Sequence, residues 1–226
     1  SLVQRSPHHV TPTAIVGTDT GERQITFYHP GADEETKPPD LTHLRDRLSM
    51  VIISPHSTTS MLHVALRCQE LKVPYIFDPG QQALEFGRDD LRRIVRGSHA
   101  LTVNSYEWAI LSDALAWAAN EVLEETDLLV VTHGEHGFAL QTREESVVMD
   151  AVPAKHLVNP TGAGDAFRAG LATGLALGWD VRDAGKLGAA LASYVIEIEG
   201  TQLETLRLED LYARAEGTYG ERLPAL

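Results

Sequence analysis

Two hydrophobic rhythms alternate along this chain. Short apolar runs at Met50–Ser54, Val73–Phe77, Ala100–Val103 and Leu128–Thr132 have the length and density of buried strands. Between them, apolar residues recur at helical spacing. Met61, Leu62, Ala65, Leu66 and Leu71 place a helix over 58–71, and further helices are expected over 41–48, 89–95 and 105–117. Asn104 or Ser105 caps the last of these. Strand and helix in strict alternation predict parallel pairing through right-handed crossovers. The expected fold class is therefore α/β, a doubly wound, mainly parallel sheet with helices on both faces.

Two segments break the alternation. Thr13–Gly17 and Gln24–Tyr28 flank the turn-forming Asp19-Thr20-Gly21-Glu22 and read as a hairpin, followed by a polar loop over 33–39. Phe138–Gln141 and Val147–Met149 read as a second hairpin. Toward the C-terminus, Gly170, Gly174 and Gly178 lie four residues apart. That spacing can pair helices in a membrane, but Asp165, Arg168 and Asp180 bound the apolar run too tightly to span one. Close packing of a buried helix is expected instead. Gly178 and Gly200 are the expected C-terminal caps of two helices, the second with Val181, Leu187, Leu191, Val195 and Ile198 roughly on one face.

The densest chemistry lies in Asn159-Pro160-Thr161-Gly162-Ala163-Gly164-Asp165-Ala166-Phe167. A glycine-rich turn that opens a helix aims unpaired backbone N–H groups at one point, and the helix dipole adds positive potential there. Such a place binds phosphate. An acid at its edge opposes anion binding unless the carboxylate takes a proton from a hydroxyl that attacks phosphorus. The plainer alternative is a tight turn before a core helix, with Asp165 as a dipole partner. No Walker loop is present, and Phe167 stands where a dinucleotide fingerprint needs its third glycine.

At Thr161-Gly162-Ala163-Gly164-Asp165-Ala166-Phe167 the chain resembles the PfkB family of carbohydrate and nucleoside kinases, in the ribokinase-like superfamily. The resemblance implies Asp165 as catalytic base and Gly162, Ala163 and Gly164, with the Asp165 amide, as an anion hole. Asn104-Ser105-Tyr106-Glu107 is similar to the family's N-x-x-E motif, which implies that Asn104 and Glu107 help place magnesium through water. Thr132-His133-Gly134-Glu135-His136-Gly137 is similar to its G-x-x-G turn, which implies nucleotide contacts at Thr132, Gly134 and Gly137. Gly200-Thr201-Gln202, followed by a helix with Tyr212 and a Tyr219-Gly220 finish, resembles the prokaryotic adenosine-kinase-like branch and implies a second nucleotide-holding loop. Many members carry an acid where this chain has Asn159, a departure that bears on cation binding or turn geometry.

The implied activity is ATP-dependent transfer of a phosphoryl group to a primary hydroxyl of a nucleoside, adenosine favoured, or of a sugar. The alternatives are a kinase for a plain sugar such as ribose or fructose, and a truncated nucleotide-binding protein without catalysis. ATP and Mg2+ are the implied cofactors, a monovalent cation is allowed, and the chain is expected to act as a monomer or homodimer. By capping logic alone, Asn104 and Glu107 equally form a plain helix cap. His133 and His136 lack a third ligand for zinc.

Composition narrows this further. The 226 residues suffice for one α/β domain with a sizeable core, and 43% hydrophobic with 23% charged residues is ordinary for a globular protein. A formal net charge of −13 argues against nucleic-acid and anionic-membrane surfaces, so charge complementary to ATP must be local. The lone Cys68 rules out an internal disulfide, is expected as a buried thiol, and fits the reducing cytoplasm, as does the lack of a signal or spanning segment. The chain starts at Ser1 and contains no Gly-Gly pair. It is therefore read as one ribokinase-like domain over 1–226 that lacks the family's first strands and acceptor-binding segment, with residues 11–30 a lid-region hairpin.

Overall fold

The computed structural model describes residues 4–18, 24–35 and 37–226. Its main sheet has six strands in the order β3 (Val51–Ile53), β4 (Tyr75–Phe77), β5 (Ala100–Asn104), β6 (Leu128–Thr132), β7 (Phe138–Gln141) and β8 (Ser146–Met149). β3 to β6 pair in parallel, and β7 and β8 add an antiparallel hairpin. A separate antiparallel ribbon joins β1 (Thr13–Thr18) to β2 (Gln24–His29), with Ile15 paired to Phe27. The turn expected at Asp19 to Glu22 lies outside the described residues.

Adjacent strand residues point to opposite faces, so each face has its own core. On one face Phe77, Leu101 and Leu129 pack with α1 (Thr58–Leu71), α2 (Arg88–Val95), α3 (Ser105–Leu115) and α4 (Ala119–Leu123). On the other, Ile76, Leu128 and Val130 pack with α5 (Ala163–Ala176), α6 (Val181–Val195) and α7 (Leu208–Tyr219). Cys68 is fully buried in the first core, and that burial pushes its thiol up to about 11.

Local chemistry sets the helix ends. Ser57 caps α1 by accepting from the Ser60 N–H, and Asp180 caps α6 by accepting from the Arg182 N–H at 2.8 Å. The segment 41–48 winds as a 3-10 helix over Thr42–Arg47 instead of an α-helix. Asp40 accepts from both the N–H and the hydroxyl of Thr42 there, and no residue of the helix is buried, so no apolar face holds an α-helical register. α3 stops at Leu115, two residues short of Trp117, because Ala116 turns to φ 53°.

α5 and α6 pack closely along a seam of small residues. A Cβ at Gly170 would stand 2.6 Å from the Gly188 backbone, and one at Gly174 would stand 2.7 Å from Ala184. Gly178 does not face the seam. It takes φ 76° and stops α5. Gly200 lies four residues beyond Ile196, the C-cap of α6, and does not cap that helix. Among the described residues no helix is long and apolar enough to cross a membrane.

Candidate active site

The candidate residues gather where the parallel strands end. Asn104 is the last residue of β5 and pairs in register with Thr132, the last residue of β6. Asn104 and Glu107 form a reciprocal cap: Glu107 N–H donates to Asn104 Oδ1 and Asn104 N–H to Glu107 Oε2, both at 2.8 Å. That arrangement uses one carboxylate oxygen, and among the described residues Glu107 Oε1 has no partner.

The turn after β6 is a 3-10 helix over Gly134–His136, closed by the His133 N–H donating to the Gly137 carbonyl at 2.8 Å. Gly137 takes φ 91°, and a Cβ there would lie 1.9 Å from the Met149 carbonyl oxygen. Glycine is therefore required to bring this turn against β8. Gly134 (φ 60°) has open space around its Cβ position. His133 Nδ1 lies 2.6 Å from the Ser105 hydroxyl, which ties the turn to the first residue of α3.

α5 begins at the glycine turn. Its N-cap Gly162 takes φ 90° and has no side chain to offer. Ala163 N–H donates to the Pro160 carbonyl, but among the described residues the N–H groups of Gly164 and Asp165 have no partner. Two donors thus point outward at the positive end of a 14-residue helix, the arrangement of an anion hole. Gly164 itself is helical and does not adopt positive φ; the left-handed residue of the turn is Gly162.

The loop after α6 is bound to this turn. A Cβ on Gly162 would stand 3.0 Å from Thr201 Cβ, so Thr201 covers the turn. Asn159 Oδ1 accepts from the Thr161 N–H at 2.9 Å, and its Nδ2 donates to the Glu199 carbonyl at 3.1 Å. A carboxylate at position 159 would keep the first bond and lose the second, because it has no donor. Gly200, Thr201 and Gln202 are thereby held beside Gly162, although no hydrogen bond joins them to the Gly134–Gly137 turn among the described residues.

Asp165 is exposed, and its carboxylate pairs with the Arg168 guanidinium one turn along α5. The other branch of that guanidinium pairs with Asp78, which follows β4 and is only 4% exposed. Asp78 Oδ1 also accepts from the Gly80 N–H at 2.9 Å. Burial pushes the Asp78 carboxyl up to about 6. Arg168 opposes that rise, and the negative charges of Glu107 and Asp165 add to it, so Asp78 senses both motif acids. Asp78 and Arg168 escaped the sequence reading as site residues. The available signals were an acid closing the wholly apolar Tyr75–Phe77 strand and a cation inside the apolar face of α5. Among the described residues no group of three or more His, Cys, Asp or Glu could hold a metal ion.

Comparison with known proteins places this geometry. The model of pfkB family carbohydrate kinases matches residues 1–207. A nucleoside kinase of Methanocaldococcus jannaschii is 28% identical over 226 residues, covering 96% of this chain and 70% of that protein. One from Methanothermobacter thermautotrophicus is 32% identical over 85% of this chain and 62% of its own length. The structure of the Burkholderia thailandensis nucleoside kinase in complex with inosine superposes with a TM-score of 0.88 at 31% identity, over 95% of this chain and 70% of that one. This chain thus spans between 62% and 70% of these relatives' lengths. With nearly the whole chain matched and the Gly162–Asp165 turn standing at the head of α5, it belongs to the pfkB family of carbohydrate kinases and has the ribokinase-like α/β fold.

Proposed function

We propose that this chain forms the nucleotide and phosphoryl-transfer part of an ATP-dependent kinase acting on a primary hydroxyl of a nucleoside, adenosine among them. The observation that carries the reading is the start of α5, where two N–H groups without a partner among the described residues share one turn with the Asp165 carboxylate. A pure anion site would have no use for that acid. A transfer site needs both, the donors for the phosphoryl oxygens and the base for the attacking hydroxyl. Asp165 accepts the proton as the hydroxyl oxygen bonds to the γ-phosphorus, the β–γ bridging P–O bond breaks, and ADP leaves.

Gly162, Ala163, Gly164 and the Asp165 amide would face the transferred group. Thr132, Gly134, Gly137 and the Gly200–Gln202 loop would hold the nucleotide. Glu107 fits a magnesium role through water, because it stands at a helix start and among the described residues its Oε1 has no partner. When bound, that ion supplies neutralisation of phosphate charge. The nucleoside class is supported by the named relatives and by the Burkholderia thailandensis enzyme, whose structure is in complex with inosine. The β1–β2 ribbon is assigned to the lid region on its place ahead of the main sheet.

The test is ADP release with adenosine, inosine, ribose and fructose as acceptors, beside calorimetric ATP binding. Nucleoside-dependent turnover is expected of a protein that carries the acceptor-binding segment, whereas residues 1–226 alone are expected to bind ATP weakly with little acceptor phosphorylation. Turnover with ribose or fructose alone would move the chain to the plain-sugar kinases, and ATP binding without any acceptor-dependent ADP release would make it a non-catalytic nucleotide-binding protein.

A further inference from the structure

Arg168 is the one charge of the glycine turn that neither the anion hole nor the base accounts for. It lies in the second turn of α5 and is mostly buried, at 16% exposed, while Asp165 one turn earlier is 71% exposed. An exposed carboxylate paired at i,i+3 on a helix is ordinarily held only weakly. Here the cation is not free to follow it. Asp78 grips the other branch of the guanidinium from the end of β4, and Asp78 is itself locked by the Gly80 N–H. The guanidinium also lies against Gly164, with its Nη1 3.4 Å from where a Gly164 Cβ would be.

We propose that Arg168 is a positioning residue for Asp165, with Asp78 as its buried anchor. The planar fork spans two carboxylates at once, one fixed just past the end of β4 and one required at the phosphoryl group. It therefore transfers the rigidity of β4 to an otherwise solvent-facing base. A lysine has the charge without the fork and cannot hold both acids in one geometry. Misplacing a reacting group by about 1 Å can cost on the order of 100-fold in rate, which sets the size of effect such a clamp can have. This role rests on the reading of Asp165 as the base.

The test is a double-mutant cycle in the intact protein, with kcat and KM for ATP and nucleoside measured for Arg168→Gln, Asp165→Asn and the pair. Arg168→Gln is expected to lower kcat by about 10–100-fold and leave the KM for ATP within about threefold. In the Asp165→Asn background the same change is expected to alter kcat by less than about twofold, because the group it positions is gone. Losses that multiply, a KM for ATP that rises in step with the fall in kcat, or an Arg168→Gln enzyme of normal kcat would each overturn the proposal. The multiplying losses mark a structural prop, and the rising KM marks a phosphate ligand. An active Asp165→Asn protein would overturn the base reading and this role with it. An inactive Asp165→Asn protein beside a fully active Arg168→Gln one would overturn the positioning role alone. If Arg168→Gln does not fold with Asp78 left buried and unpaired, the pair Asp78→Asn/Arg168→Gln removes both charges together. It is expected to show the same loss in kcat, and normal kcat in that pair overturns the proposal.

Discussion

The turn over 134–137 and the turn over 161–165 each carry two glycines at the same end of the sheet, yet they use glycine differently. Gly137 is an answer to crowding: φ is 91° and the Met149 carbonyl occupies the place of a side chain. Gly164 is ordinary helix, with only the end of the Arg168 side chain near its Cβ position. The first turn holds backbone against backbone. The second is covered by Thr201 at Gly162 but leaves the N–H groups of Gly164 and Asp165 without a partner among the described residues, and its value lies in what can approach them. A glycine motif alone does not say which kind it is; the neighbours of the absent Cβ do.

Four measurements sharpen that contrast. The largest effect is expected from Asp165→Asn, which keeps the second turn's shape and removes its proposed proton acceptor. kcat should fall by about 10²–10⁴-fold, with ATP affinity unchanged or slightly tighter because a negative charge near the phosphates is gone. Steady-state kinetics with calorimetry checks it, and activity within a few-fold of wild type would return Asp165 to the role of a dipole partner.

Gly137→Ala should act on the fold. The strained φ and the Met149 carbonyl together predict a loss of roughly 2–4 kcal/mol in stability, read by urea unfolding. A near-normal midpoint would mean that β8 yields easily, and the contrast between the turns would shrink.

The third effect is a pH dependence at the anchor of the second turn. The Asp78 carboxyl is raised from its ordinary 3.8 to about 6 by burial. The folded chain therefore holds this proton over a window in which the unfolded chain has lost it. The contribution of Asp78 to stability then falls as pH rises from about 4 to 6, and stays at its lower level above that. Asp78→Asn removes this slope, so whatever its offset from losing the Arg168 pair, the variant's stability relative to wild type should rise by up to about 3 kcal/mol across that window. Melting curves of both proteins from acid to neutral pH test it, and parallel profiles would show that Asp78 ionises elsewhere.

The smallest effect, and the one that separates the turns most directly, is Gly164→Ala. Alanine in a helix is favoured over glycine by up to about 1 kcal/mol, so stability should hold or rise. Turnover should nonetheless drop, because the methyl group presses on Arg168 and on the approach to the Gly164 N–H. A parallel fall of stability and activity would make Gly164 a second Gly137.

Much of the scaffold was legible in the sequence. α1 and β6 carry the bounds that periodicity predicts, because Ser57 caps one and dense Leu and Val fill the other. The β7–β8 hairpin and the two-faced α/β sheet followed from the same pattern. Short elements were not legible. α4 has five residues, too few for a period, and the 3-10 segment Gly80–Leu84 is shaped by an Asp78 turn rather than by apolar spacing. In the site, Asp165 and the glycines stand in one local motif, whereas Asp78 and Arg168 meet only once β4 and α5 are docked. Periodicity carries no information on such a long-range pair, and an acid before Pro79-Gly80 reads as a turn residue.

The seam between α5 and α6 has a consequence for how the site tolerates change. Gly170 and Gly188 let two backbones touch, and that contact sets the axis along which the head of α5 is aimed. Gly170 lies five residues from Asp165, about 7.5 Å along the helix. A single methyl group at the seam would act as a wedge under a lever, tilting donors and base together while every site side chain stayed intact. Selection on this enzyme's rate therefore reaches small residues with no contact to any substrate, and a screen for slow but well-folded variants should find them along that line.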